Sequence, residues 1–224
     1  STLLEQAKQA IDAGEFRNAD SLLQQLNFTA RSKEETLQYN LLALEFSIER
    51  KNVDQSQQVL NRIDRDQLNR STTDTQIHYG LLKAQFYELS GNFLTAARER
   101  DFLSPILDGN VRENNHQQIW KDLTNISLEN LSKWSKSAPN TQFANWLALA
   151  AIAKDTSHNL TGHIAAVNQW RQNNPTHPAA IELPGGLSLL EEMAQQQPKH
   201  IALLLPLTGN LASSGQAVRE GFMA

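Results

Sequence analysis

Six histidines, at positions 78, 116, 158, 163, 177 and 200, are the first residues to test for chemistry. A metal site needs two of them on one helix face with a third ligand close by. None are spaced i, i+4, and His158 and His163 straddle a helix start, so capping and surface roles account for them better than ligation. Paired carboxylates at Glu34-Glu35 and Glu191-Glu192 could in principle run acid-base hydrolysis of a glycan. Their places at helix starts or on exposed faces make solvated charge, favoured by a positive dipole end, the simpler account. Ser213-Ser214-Gly215 lacks the Gly-x-Ser-x-Gly elbow, and Gly209, Gly215 and Gly221 do not match Gly-x-Gly-x-x-Gly. The chain has no cysteine, so thiolate chemistry and disulfides are excluded. The expectation is a protein that is not an enzyme, with no catalytic residue, no metal site and no cofactor.

Four tryptophans, Trp120, Trp134, Trp146 and Trp170, offer flat apolar faces on which a sugar could stack. All recur with aliphatic residues at helical spacing, which favours core packing. Trp134, beside Lys133 and Lys136 at an expected helix end, is the one candidate for a partner contact. The net charge of -4, with Lys and Arg scattered, provides no basic field for a phosphate backbone, so nucleic acid is not an expected partner. With 40 % hydrophobic and 20 % charged residues the chain should fold rather than stay disordered. Its longest apolar stretch, Trp146 to Ala153, is eight residues against the roughly 20 that cross a bilayer as a helix.

The elements that would position these residues are helices. Leu3, Leu4, Ala7 and Ile11 form one stripe before Gly14, and Phe16, Ala19, Leu22, Leu23 and Leu26 form the next. Ser32 and Glu35 have capping-box spacing ahead of Leu37, Leu41, Leu44 and Ile48, and Val53, Ser56, Val59, Leu60 and Ile63 follow the Lys51-Asn52 turn. Thr73 with Gln76 is expected to open a helix through Ile77, Leu81, Ala84 and Leu89, with Phe93, Ala96, Ala97 and Leu103 on its partner. The turns at Gly14, Lys51 and Gly91 lie 37 and 40 residues apart, a helical-repeat period. Further helices are expected around Ile119 to Leu123, from Ser127 to Pro139, and from Phe143 to Ala153 as the core helix. Another carries Ile164, Val167 and Trp170 to its end at Asn174-Pro175.

After Pro184-Gly185-Gly186 a short helix carries Leu189, Leu190 and Met193, and Pro198 closes it. The run His200 to Pro206 then reads as a buried parallel strand, so residues 199–224 are expected to be the truncated strand, loop and helix that start an α/β domain. Without the rest of such a fold, Thr208, Ser213 and Ser214 cannot close around a ligand. Ser1 to Gln6 lack a basic and an apolar region, so any targeting segment is expected to have been removed.

The segments Ala13 to Ala19 and Ser90 to Ala96 share a glycine, an aromatic two residues later and an alanine three after that, which resembles the tetratricopeptide repeat with a longer period. Ile201-Ala202-Leu203-Leu204-Leu205-Pro206-Leu207-Thr208-Gly209, followed by Gly215 to Val218 and Glu220-Gly221-Phe222, resembles the opening of type I periplasmic binding-protein domains. The combination, with Trp146 to Ala150 and Gln169-Trp170-Arg171 followed by Asn174 to Ala180, resembles the outer-membrane lipoprotein activators of class A penicillin-binding proteins. The resemblance implies an all-α, tetratricopeptide-like solenoid over residues 1–198 and a truncated binding-protein-like start over 199–224. It implies a non-catalytic regulator of peptidoglycan synthesis whose partner is a class A penicillin-binding protein. Such proteins are held to the periplasmic side of the outer membrane by a lipidated cysteine that this chain lacks. A peptidoglycan-binding or glycan-binding module of the periplasm is the alternative.

Overall fold

Side-chain oxygens set where the helices begin. The computed structural model describes residues 2–27, 31–137, 141–195, 204–206 and 208–223. Thr2 and Glu5 form a capping box at the start of α1 (Leu3–Asp12), and Ser32 and Glu35 form another at α3 (Lys33–Glu49). Between and after them come α2 (Phe16–Asn27), α4 (Val53–Arg62), a short α5 (Arg65–Asn69), α6 (Thr73–Leu89) and α7 (Phe93–Leu103). A 3-10 turn at Ser104–Ile106 leads to α8 (Gly109–Thr124), α9 (Leu128–Ser135), α10 (Gln142–Lys154) and α11 (Leu160–Asn173). The short α12 (Pro178–Ile181), α13 (Gly186–Gln195) and α14 (Ala212–Met223) complete an all-helical chain among the described residues.

The first three hairpins, α1/α2, α3/α4 and α6/α7, turn in one way. The amides of Glu15, Asn52 and Asn92 donate to the carbonyls of Ala10, Ser47 and Tyr87, and those of Gly14, Lys51 and Gly91 to Ile11, Ile48 and Glu88, at 2.8–3.0 Å. This is the Schellman pattern, which needs a left-handed residue at its centre. Gly14 and Gly91 take φ of 71° and 75° without steric cost, whereas Lys51 takes φ 56° with a Cβ present. Five residues past each centre stand Ala19, Ser56 and Ala96, all fully buried, where only a small side chain lets the two helices close. Ser56 satisfies its hydroxyl against Ser47 Oγ at 2.8 Å and the Asn52 carbonyl at 2.7 Å.

Hairpins stack because their inner helices have two apolar sides. α3 gives Leu42 and Phe46 to a core shared with α1 and α2, and Leu37, Leu41 and Leu44 to a second core shared with α4, α5 and α6. Glu45 of α3 links successive layers, at 3.3 Å from Lys8 Nζ on α1 and 3.4 Å from His78 Nε2 on α6. Burial pushes its carboxyl up, yet His78 and Lys8 outweigh burial and hold it below the usual range. A third and larger core runs from α7 to α13 around Ile119, Leu123, Leu131, Trp146, Leu149 and Trp170. α10 supplies its centre, as its run of apolar residues implied.

Three elements differ from the sequence reading. Thr72 rather than Thr73 caps α6, accepting from the Thr75 amide, while the Gln76 side chain turns back to the Ser71 carbonyl. α8 is a 16-residue helix that starts at Gly109 rather than a short one around Ile119. Of the expected strand, His200 to Leu203 lie outside the described residues, and Leu204 to Pro206 run in irregular backbone with no partner strand among the described residues. The Pro206 carbonyl rests on Gly215 of α14, where a Cβ would not fit.

Because Lys51 occupies a position built for glycine, Lys51→Gly should stabilise the chain by about 0.5–1 kcal/mol, and Gly91→Ala should destabilise it by about 1 kcal/mol or more. Urea midpoints at constant m-value measure both.

Candidate functional site

Two groups of buried polar residues shape the second half of the chain. In the first, Arg100 of α7 is buried beside Asp122 and Asn115 of α8. Its Nε donates to Glu88 Oε1 at 2.6 Å and lies 3.8 Å from Asp122 Oδ2, and one terminal nitrogen donates to Asn115 Oδ1 at 3.3 Å. Asn115 donates in turn to the Arg100 carbonyl at 2.8 Å and to Ser104 Oγ at 3.1 Å, while Gln118 donates to Asp122 Oδ1 at 3.0 Å. Burial, reinforced by the Glu88 charge, pushes the Asp122 carboxyl up to about 7. Its Oδ2 accepts no hydrogen bond, so a proton held there faces Glu88 and relieves the repulsion between the two acids.

In the second group His177 is gripped edge-on between Trp146 and Trp170, with ring centroids 4.8 and 5.0 Å away. Its Nδ1 accepts from the Ala179 amide at 3.2 Å and caps α12, so its proton sits on Nε2, which donates to the Gln142 carbonyl at 3.1 Å. Burial drives its pKa down to about 4, so the ring is neutral. Trp170 donates to the Asn145 carbonyl at 3.1 Å, and Arg171 ties the Ala180 carbonyl and Glu191 of α13 to α11. The segment from Asn174 to Leu187 is thereby fixed against α10 and α11.

That segment closes a cleft of about 430 Å³ against α8 and α10, lined among others by Glu113, His116, Trp120, Trp146, Glu182 and Gly185. Gly185 has φ 56°, and a Cβ there would meet Trp120 Nε1 at 2.9 Å, so backbone and space both require glycine. Around the 3-10 turn three apolar side chains are open to solvent, Phe102 at 79 % exposure together with Ile106 and Val111.

The residues singled out by sequence do not converge. Trp146 and Trp170 are buried, Trp120 lines the cleft, and Trp134 packs half-buried against the largest core with exposed Lys133 and Lys136 beside it. Glu35 spends its carboxylate on the Ser32 amide, Glu191 pairs with Arg171, and Thr208, Ser213 and Ser214 are exposed. His200 lies outside the described residues, and among the described residues no three His, Asp or Glu side chains gather as a metal site would require. The buried cluster around Arg100 and the cleft were not anticipated. Arg100, Asn115 and Asp122 each interrupt an apolar stripe at a core position, which is the sequence signal for buried polar pairing.

The two buried groups pull stability in opposite directions with pH. An unfolded histidine takes its proton near 6.5 and the folded His177 only near 4, so stability falls as pH drops through that window. Folded Asp122 keeps its proton to about 7 while an unfolded aspartate loses it near 3.8, so stability also falls as pH rises through that window. Each slope is at most about 1.4 kcal/mol per pH unit. Melting temperatures taken from pH 4 to 8 should therefore show Asp122→Asn gaining on the parent as pH rises, and His177→Asn losing the parent's sensitivity below about pH 6.

Residues 7–224 match the family described as "LppC putative lipoprotein". The chain is 34 % identical over 145 residues to the penicillin-binding protein activator LpoA of Photobacterium profundum, covering 65 % of this chain and 24 % of that protein. It is 28 % identical over 221 residues to the LpoA of Vibrio vulnificus, covering 99 % of this chain and 36 % of that protein. The chain thus spans about a quarter to a third of these curated relatives. In fold it resembles Haemophilus influenzae LpoA, with a TM-score of 0.71 at 21 % identity over 98 % of this chain and 40 % of that one. It also resembles the amino-terminal domain of Escherichia coli LpoA, with a TM-score of 0.67 at 19 % identity over 89 % of this chain and 84 % of that domain. The stacked hairpins are therefore a fold shared with those domains, and the chain belongs to the LppC lipoprotein family.

Proposed function

We propose that this chain is the helical arm of an outer-membrane lipoprotein, facing the periplasm, that binds and activates a class A penicillin-binding protein and catalyses no step itself. The observation that supports it is the match over residues 7–224 to a lipoprotein family with relatives named penicillin-binding protein activators. Stacked hairpins fit the role, since a solenoid offers a long, preformed surface and holds the next domain at a set distance. In this reading residues 1–198 are the arm and 199–224 begin a binding-protein-like domain. The open apolar side chains of Leu211, Val218 and Phe222 on and beside α14 fit an element whose core partners lie in that domain. Lipid attachment, rather than a helix of this chain, supplies the membrane contact.

Two surfaces are candidates for the synthase: Trp134 with its flanking lysines, and the open side chains of Phe102, Ile106 and Val111. The test is retention of a purified class A synthase on the immobilised chain, with glycan-strand synthesis measured in parallel on the complete lipoprotein. Phe102→Ser, on an exposed site, should leave the melting temperature unchanged and weaken retention at least about threefold. If the complete lipoprotein neither retains nor stimulates the synthase, the activator reading is wrong. Strong sedimentation with purified peptidoglycan, lost on Trp134→Ala, would favour the glycan-binding alternative instead.

A further inference from the structure

The cleft between α8, α10 and the 178–185 segment has a chemistry of its own. Glu113 and Glu182 stand exposed at its edges, and neither makes an ion pair or a side-chain hydrogen bond among the described residues. His116 lies between α8 and the cleft, its Nε2 enclosed and without a hydrogen-bond partner. Burial and the nearby Arg112 lower the pKa of His116 despite the Glu182 charge, so its ring adds no positive charge to the cleft at pH 7. Arg112 itself is committed elsewhere, to the Leu107 carbonyl and Asp108. Trp120 and Trp146 supply aromatic wall. The charged groups offered to an occupant are thus two carboxylates, beside aromatic rings and the Gln117 side chain.

A ligand that carries positive charge, donates to carboxylates and tolerates a ring against it fits this set. Guanidinium does all three, with planar donors that suit a carboxylate and a face that stacks on indole. The volume of about 430 Å³ is in the range of sites that bury a drug-sized ligand, which leaves space for residues on either side of one side chain. We propose that this cleft is a docking site for an arginine side chain carried on an extended segment of a partner protein, with Glu113 and Glu182 holding the guanidinium against Trp120. The site does not depend on the activator reading, and its test uses no synthase.

The probe is a blocked peptide, acetyl-Ala-Arg-Leu-amide, titrated into the 224-residue chain with tryptophan fluorescence and heteronuclear NMR as readouts. Its control replaces arginine by citrulline, which keeps the shape and removes the charge. The arginine peptide should bind saturably, with shifts centred on Trp120 and His116, and the citrulline peptide should bind at least about tenfold more weakly. Glu113→Gln and Glu182→Gln, both on exposed positions, should each weaken binding about threefold and together about tenfold, with unchanged melting temperature. Raising salt should weaken the parent more than the double variant. No saturable binding, equal affinity for the two peptides, or full affinity in the double variant overturns the proposal.

Discussion

No hairpin in this chain buries both sides of its helices by itself. α3 shows the consequence most clearly, because Leu42 and Phe46 face the layer before it and Leu37, Leu41 and Leu44 face the layer after it. A helix apolar on two sides is stable only between neighbours, so each hairpin depends on the next one being in place. That dependence fixes other choices. Ala19, Ser56 and Ala96 must be small where paired helices approach, Gly80 leaves room where Leu103 of α7 presses on α6, and the turns must share one geometry to keep the layers in register.

The largest core ends differently, with a locking segment instead of another full hairpin. His177 holds three things at once: it caps α12, bonds to the first turn of α10 and fills the space between two tryptophans. With Arg171, which holds the Ala180 carbonyl and Glu191, that histidine places the segment in which Glu182 and Gly185 form a wall of the cleft. Asp122 and Arg100 secure the other side of the same core, where α7 meets α8. One group keeps a proton off and the other keeps a proton on, so the core is best matched to a middle range of pH.

The hairpins could be read from sequence because their signals are local: a left-handed turn residue, an apolar residue two later and a small one three further on. Even Lys51 fitted that frame, standing where Gly14 and Gly91 stand. Boundaries were less legible at α6, where Thr72 and Thr73 are equally good caps on paper and only packing selects the first. The apparent shortness of α8 has a related cause, since its first turns carry polar residues and only its second half is buried among aliphatics. The cleft could not be read at all. Glu113 and Glu182 are far apart in sequence and line one cleft only because a four-residue helix, capped by a histidine acting on a distant carbonyl, precedes Glu182. Trp134 packs its ring half-buried against the largest core while Lys133 and Lys136 beside it are exposed.

Division of the apolar interior into three separate clusters also has a mechanical meaning. Pulled by its two ends, such a chain would give way in steps, because no single set of contacts spans it. The α1/α2 layer, with one neighbour and a small cluster, would peel first, while the block from α7 to α13 would hold to higher load.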